Sequence, residues 1–264
     1  MNSDAAPRIR AVSFNLKFAQ YEPPNSWHER RPVVREWRRR YDPDIVGTQE
    51  GVYRQLRDMA ADMPEYEWIG TGRSGGSRGE FMAVFFKRDR FEPLEFDHYW
   101  LSDTPNVVGS SSWGNSVKRM VTWIRFLDKA ADRELYVVNT HFDHVVEKAR
   151  VLSAELVASR CAELNSNLPI VLLGDFNAAA ERSRPYAILT EKAGFRDAAL
   201  ESGVDIPNIA TYHGWRGPRE GARIDWILLR GGLEAVSYET HLFEMDGQYP
   251  SDHFPVAAEL EWRP

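Results

Sequence analysis

A single cysteine, Cys161, occurs in 264 residues, which excludes an intramolecular disulfide and any zinc site built on several thiolates. It sits in the helical-looking stretch VEKARVLSAELVASRCAELN, where a small core residue is the expected role ahead of a reactive thiol. No apolar run reaches the roughly 18 residues a membrane span needs, and the opening MNSDAAPRIRAVSFNL carries no apolar leader. The expectation is a cytoplasmic protein without a membrane segment. Positive charge is in short supply as well: 33 Lys and Arg stand against 39 Asp and Glu, a net charge of -6. Long nucleic acid, whose affinity rests on cation-to-phosphate contacts, is therefore a disfavoured partner, and no obligate protein partner is evident. No Pro/Gly/Ser-rich linker and no repeat divides the chain. With 43% hydrophobic residues, one domain over residues 1–264 is expected, its core running from about residue 8 to 262.

Short β-type runs recur throughout: IRAVSFNL, DIVGTQE, EWIGTG, FMAVFFK, MVTWIRFL, ELYVVNTH, PIVLLGD, ARIDWILLR and FPVAAELEW. Several are almost continuous aliphatics, as expected of strands buried on both faces. Helix-length stretches lie between them, the clearest at Trp27 to Tyr41, Gly51 to Asp62, His144 to Asn165 and Arg184 to Ala193. The mixture predicts an α/β layered architecture, sheets covered by helices. HERRPVVREWRRRYDPD holds six arginines; with Val33, Trp37 and Tyr41 facing a core, most of them read as a solvated helix face. The glycine-rich GTGRSGGSRGE (Gly70 to Glu80) reads first as a surface turn and second as an anion cradle using Arg73 and Arg78.

The informative pattern is that polar, ligand-type residues stand at the ends of β-runs. Asn15 ends VSFNL and Glu50 ends DIVGTQE. His141 comes with YVVNTHFDH, Asp175 and Asn177 with VLLGDFN, Asp225 with RIDWILL, and Asp252 and His253 with YPSDHFPVAA. In layered α/β folds, sites form in the crevice outside strand ends. In extended chain, Asp175 and Asn177 share a face while Phe176 turns into packing; the carboxylate can accept a proton from a water that the amide orients. An Asx-type turn is the simpler reading of Gly-Asp-Phe-Asn taken alone. Four acids sharing a pocket need neutralising, since two like charges about 4 Å apart repel by roughly 4 kcal/mol at an effective dielectric near 20. All-oxygen ligands without cysteine point to Mg²⁺ or Mn²⁺. His253, oriented by Asp225, can donate to a phosphoryl oxygen when charged, and His141 offers a second donor.

The ordered set SFNL, GTQE, NTHFDH, GDFN, IDWILL and SDHFPV resembles the endonuclease/exonuclease/phosphatase superfamily of DNase I-like metal-dependent hydrolases, over nearly the whole chain. HYWLSDTP, SSSWG and TYHGW look most like bacterial proteins of its nocturnin/deadenylase-like branch. The resemblance implies a four-layered α/β sandwich, two packed mostly antiparallel or mixed sheets flanked by helices. It implies Glu50 as principal metal ligand, helped by Asn15 and, indirectly or at a second metal, by Asp252, with Asp175 orienting or deprotonating the attacking water and Asn177 fixing the phosphate. His253 paired with Asp225, and His141, would stabilise the transition state. Glu80 matches a position near the metal, and Arg119, His213, Trp113 and Trp215 are candidates for substrate contacts, packing being the commoner role for the tryptophans. Two departures from the abasic-endonuclease pattern are Lys17, where those enzymes carry an acid, and the His141 segment. The implied activity is phosphoester hydrolysis, as phosphodiesterase or phosphomonoesterase, by in-line attack of water on a small phosphorylated substrate; a nuclease acting on DNA or RNA ends is the alternative.

Two other classes compete. NTHFDH approaches the His-x-His-x-Asp-His zinc motif of metallo-β-lactamase-like hydrolases, but Asn139 replaces the first ligand, which opens the zinc site. A non-catalytic binding module on the same fold is the second, and filled positions at every motif argue against it.

Overall fold

The computed structural model describes residues 7–263; of the residues expected to form the domain, 1–6 and 264 lie outside the described part. In chain order the strands are β1 (Ile9–Asn15), β2 (Ile45–Gln49), β3 (Gly51–Val52), β4 (Tyr66–Ile69), β5 (Glu80–Phe81), β6 (Val84–Lys87), β7 (Phe91–Trp100), β8 (Met120–Asp128), β9 (Arg133–His141), β10 (Ile170–Asp175), β11 (Arg196–Asp197), β12 (Asp225–Arg230), β13 (Leu233–Thr240) and β14 (Val256–Trp262). The helices are α1 (Trp27–Tyr41), α2 (Tyr53–Asp62), α3 (Glu147–Glu163), α4 (Arg184–Ala187), continued by a π-helical turn over Ile188–Lys192, and α5 (Ala198–Glu201).

Two six-stranded sheets, ordered β13-β14-β1-β2-β6-β4 and β11-β12-β10-β9-β8-β7, each hold one parallel pair, β1/β2 and β9/β10, among antiparallel neighbours. Period-2 alternation explains how they pack. Ile9 and Ala11, Val171 and Leu173, Val137, and Ile227 and Leu229 point inward and form one cluster drawn from both sheets. Val12, Phe14 and Val46 point outward, against Trp37 of α1 and Leu56 of α2. Leu172, Leu228 and Trp226 face α3, where Cys161 is a buried core residue whose thiol burial pushes up to about 12. The result is the expected four-layered sandwich of helix, sheet, sheet, helix.

Four strands, β3, β7, β11 and β13, escape the hydrophobic pattern; β3 and β11 are two residues long, and β7 and β13 lie at sheet edges. Along FEPLEFDHYW four consecutive residues are exposed, and Pro93 sits at a register shift, the position an edge tolerates for a residue without an N–H. Helix ends also differ from expectation. Gly51–Val52 pairs with Glu80–Phe81 before α2 begins. Asp143 Oδ1 takes the N–H groups of Val145 and Val146 and delays α3 to Glu147. Helix α1 starts where the sequence places it, through a capping box between Ser26 and Glu29. One of its arginines corrects the solvated-face reading: Arg30 is fully buried and donates to the carbonyls of Leu16, Lys17, Phe18, Asn25 and Pro250.

Candidate active site

The inward-facing series that builds the inter-sheet core ends in polar residues at one end of the sandwich. After Val171 and Leu173 the same parity brings Asp175, and after Val137 and Asn139 it brings His141. Asp175 pairs in register with His141 on one side and Asp225 on the other, while Asn15 stands opposite Gln49, one residue before Glu50. The crevice lies outside the carboxyl ends of both parallel pairs. Gly174 is required on the outer face, where a Cβ would come within 2.6 Å of the Thr140 carbonyl oxygen.

Residues Asp175 to Asn177 do not continue as extended chain. The strand ends at Asp175, Asn177 is left-handed with φ 48°, and its N–H donates to Asp175 Oδ1 at 2.9 Å. The Asx turn and the shared orientation are thus one structure, since the turn swings Asn177 Nδ2 to within 3.0 Å of His141 Nε2. Phe176 stacks on Trp226 with ring centroids 4.2 Å apart, which locks the turn to the core. Asp225 Oδ2 accepts from His253 Nδ1 at 3.0 Å, and His253 Nε2 faces Asp175 Oδ2 at 3.8 Å. Burial alone would lower this imidazole, but Asp225 and Asp175 outweigh it and raise His253 to about 10. Burial, with the charge of Asp225 next, pushes the Asp175 carboxyl upward. Ligand-type atoms of Asp175, Asp225 and His253 lie within 4.8 Å of one another. The charged ring offsets one of the two acids, and the charge of Asp225 still acts on Asp175.

Glu50 provides the available carboxylate. Its backbone is left-handed, φ 61°. Burial favours its neutral form, but Lys17 and His253 outweigh burial and hold it below the ordinary carboxylate range. Asn15 Nδ2 donates to Glu50 Oε1 at 3.2 Å and Asp175 Oδ2 at 2.9 Å, while Asn15 Oδ1 is taken by the Lys17 N–H at 3.0 Å. Asn15, expected to help hold a metal, thus ties two carboxylates together through its amide nitrogen, while its Oδ1 accepts a single N–H. Asp252, expected to help hold a metal, pairs with Lys17 Nζ at 3.3 Å. Oxygen donors without thiolate fit a hard cation, and Glu50 is the carboxylate that would hold it.

Arg119, buried, lies with Nη1 2.8 Å from His141 Nδ1 and Nη2 3.1 Å from His144 Nδ1. Both nitrogens of His141 face donors, and a neutral imidazole accepts at only one. The guanidinium claims Nδ1, and Nε2 lies 3.0 Å from Asn177 Nδ2 and 3.4 Å from Asp175 Oδ2. Burial and then Arg119 keep His141 well below the usual histidine range. Glu80 pairs with Arg73 at 2.6 Å. These groups line a cleft of about 390 Å³, with Phe18 and Tyr212 at its aromatic rim. A groove of similar size, about 410 Å³, lies against α3 near Tyr99 and Trp123 and contains none of these residues.

Some expected contacts fall elsewhere. His213 is fully buried, stacked on Phe254 at 4.0 Å, and burial lowers it to about 4. Tyr212 bridges to His253, so Tyr212 faces the cleft and its neighbour faces the core; alternation decides between them. Trp113 donates to Asp103, and Trp215 lies beside Arg30. Arg78 donates to the Gly75 carbonyl, so of the suggested anion cradle only Arg73 reaches the cleft. Asn139 is buried and bonded to Thr48 and Ala83, and Asp143 accepts the Val145 and Val146 N–H groups ahead of α3; the zinc reading of NTHFDH fails on both. His144, read in the sequence only as part of the zinc-like NTHFDH motif, proves to line the cleft beside Arg119.

Two packed sheets whose polar strand ends meet in a carboxylate and histidine cleft define a DNase I-like α/β sandwich. A family model described as the endonuclease/exonuclease/phosphatase family matches residues 12–253. The chain belongs to that family, whose members are phosphoester hydrolases and generally depend on a divalent metal. It is 32% identical to an endonuclease/exonuclease/phosphatase from Bacteroides vulgatus, with a TM-score of 0.90 over 97% of this chain and 100% of that one. It is also 32% identical to a mannosyl-6-phosphatase of Bacteroides thetaiotaomicron, TM-score 0.87, over 96% and 100%. The catalytic domain of human nocturnin shares the fold at 19% identity, TM-score 0.75, over 98% and 96%. The chain spans less than two thirds of the curated relatives it matches, 62% and 36% of their lengths.

Proposed function

We propose that this protein, through residues 8–262 acting as one domain, hydrolyses the phosphoester of a small soluble substrate by in-line attack of water, with Mg²⁺ or Mn²⁺ as cofactor. The observation that carries the reading is the placement of Asp175, in register between His141 and Asp225 and tied to Asn15. A buried carboxylate raised in this way is matched to accept a proton from water near neutral pH. Asn177 Nδ2, His141 Nε2–H and the His253 imidazolium converge beside it as donors for phosphoryl oxygens, where negative charge grows. Arg119 is a positioning residue that sets the His141 tautomer. When bound, the ion supplies Lewis-acid stabilisation of the phosphoryl group, and Glu50 is the residue that holds it. Support for a small substrate comes from the size of the cleft, the net charge of -6 and the likeness to a sugar phosphatase; the Phe18 and Tyr212 rim suits a sugar ring.

The test is a panel of sugar phosphates, p-nitrophenyl phosphate, bis-p-nitrophenyl phosphate and short oligonucleotides with Mg²⁺ or Mn²⁺. Turnover of the sugar phosphates is expected. Turnover confined to oligonucleotides would remove the substrate reading, and inactivity on every substrate by metal-bound protein would remove the catalytic one.

A further inference from the structure

Lys17 enters the cleft in a way that its neighbours enforce. Its Nζ lies 3.3 Å from Asp252 Oδ2 and 4.0 Å from Glu50 Oε2, between two carboxylates arriving from different segments. Its backbone is left-handed, φ 52°, which costs a side chain with a Cβ roughly 1 kcal/mol. Such a conformation persists where the surroundings over-determine it, and these sites cluster at functional positions. The over-determination is visible here. The Lys17 N–H donates to Asn15 Oδ1, and the Lys17 carbonyl accepts from Arg30 Nη2 and Gln55 Nε2, each at 3.0 Å. Arg30 also grips the carbonyls of Leu16 and Phe18 on either side, and that of Pro250, two residues before Asp252. One buried guanidinium thus holds both segments of the ion pair, the one carrying Lys17 and the one carrying Asp252.

From this geometry we infer that Lys17 is a built-in monovalent cation occupying the position between Glu50 and Asp252, so that the site takes one divalent ion and not two, with Arg30 as the residue that positions it. The inference rests on the metal-dependent reading above. A second divalent ion would have to share Asp252 with a tethered ammonium, and like charges at about 4 Å repel by several kcal/mol even at an effective dielectric near 20. Asp252, at 3.3 Å, is the nearer partner of Lys17, and Glu50, 4.0 Å from the ammonium, is the carboxylate left to take the single ion.

The experiment is isothermal titration of metal-stripped full chain with Mn²⁺, read as ions bound per chain, for wild type, Lys17→Arg and Lys17→Ala. One ion is expected for wild type and Lys17→Arg, and two for Lys17→Ala, where the freed pair of carboxylates can accept another. Two ions in wild type would overturn the inference and leave the proposed hydrolysis standing. One ion in Lys17→Ala, with a circular-dichroism melt showing it folded, would overturn it as well. Absence of any binding in wild type would overturn both the inference and the metal-dependent reading. If Lys17→Ala does not fold, Lys17→Met, which keeps the stem and removes the charge, carries the same two outcomes.

Discussion

Replacing Asp225 by asparagine isolates the group that keeps His253 charged. Asp225 Oδ2 is the hydrogen-bond acceptor for His253 Nδ1, at 3.0 Å, and Asp225 Oδ1 has no partner among the described residues. The side chain can therefore change without stranding another donor. A hydrogen bond to a charged group is worth about 1.5–3 kcal/mol, and one pKa unit corresponds to about 1.4 kcal/mol. The substitution should then lower His253 from about 10 to roughly 8 to 9. Since the donor form is the imidazolium, activity is present below this pKa and lost as pH rises through it. At pH 9 the protonated fraction falls from roughly nine tenths to between a half and a tenth, a loss of about two- to tenfold; well below pH 8 this contribution vanishes. The assay is kcat/KM for p-nitrophenyl phosphate with Mg²⁺ across pH 6 to 9.5, with the His253 ring titrated by NMR in parallel. A basic limb at the same pH in both proteins would refute the assignment of His253 as a charged donor held by Asp225.

Other outcomes follow from the same site. In the wild type the acidic limb should lie well above the ordinary carboxylate range near 4, because Asp175 must be ionised and burial and Asp225 raise it; a limb near 4 in the kcat/KM profile would contradict this. Asp175→Asn should cost about 10³-fold or more in kcat yet raise the melting temperature by a few degrees, because it relieves a buried charge beside Asp225; a lower melting temperature in calorimetry would oppose the electrostatic account. Glu50→Gln should weaken Mn²⁺ affinity by at least tenfold, and an unchanged titration would remove Glu50 as the holder of the ion. Arg119→Ala should reduce kcat/KM by roughly 10- to 100-fold through the loss of the His141 tautomer, with little effect in a variant already lacking His141; additive losses would separate the two residues.

Much of the fold was legible because burial on both faces leaves long aliphatic runs, as in PIVLLGD and ARIDWILL. Strands β7 and β13 were not, since an edge strand faces water and carries charges where a central strand carries valine. The polar strand ends were equally readable, and Asn15, Glu50, His141, Asp175, Asn177, Asp225, Asp252 and His253 all converge. What escaped was decided by backbone direction. The choice of Tyr212 over His213 depends on which of two adjacent residues faces the cleft, and a single bridge to His253 settles it. The amide orientation of Asn15 depends on the N–H of Lys17, two residues on. Arg30 was not singled out from a run of six arginines read as mostly solvated, because composition does not record where a helix meets loop carbonyls from a distant segment.

The most direct test of the central claim is phosphate release from a sugar phosphate by metal-stripped protein, titrated with Mg²⁺, with Asp175→Ala run alongside. No turnover is expected before metal, with saturable recovery in the wild type and a loss of about 10³-fold or more in a folded, metal-binding Asp175→Ala protein. Turnover indifferent to metal, or an Asp175→Ala protein that keeps near-normal kcat, would contradict it.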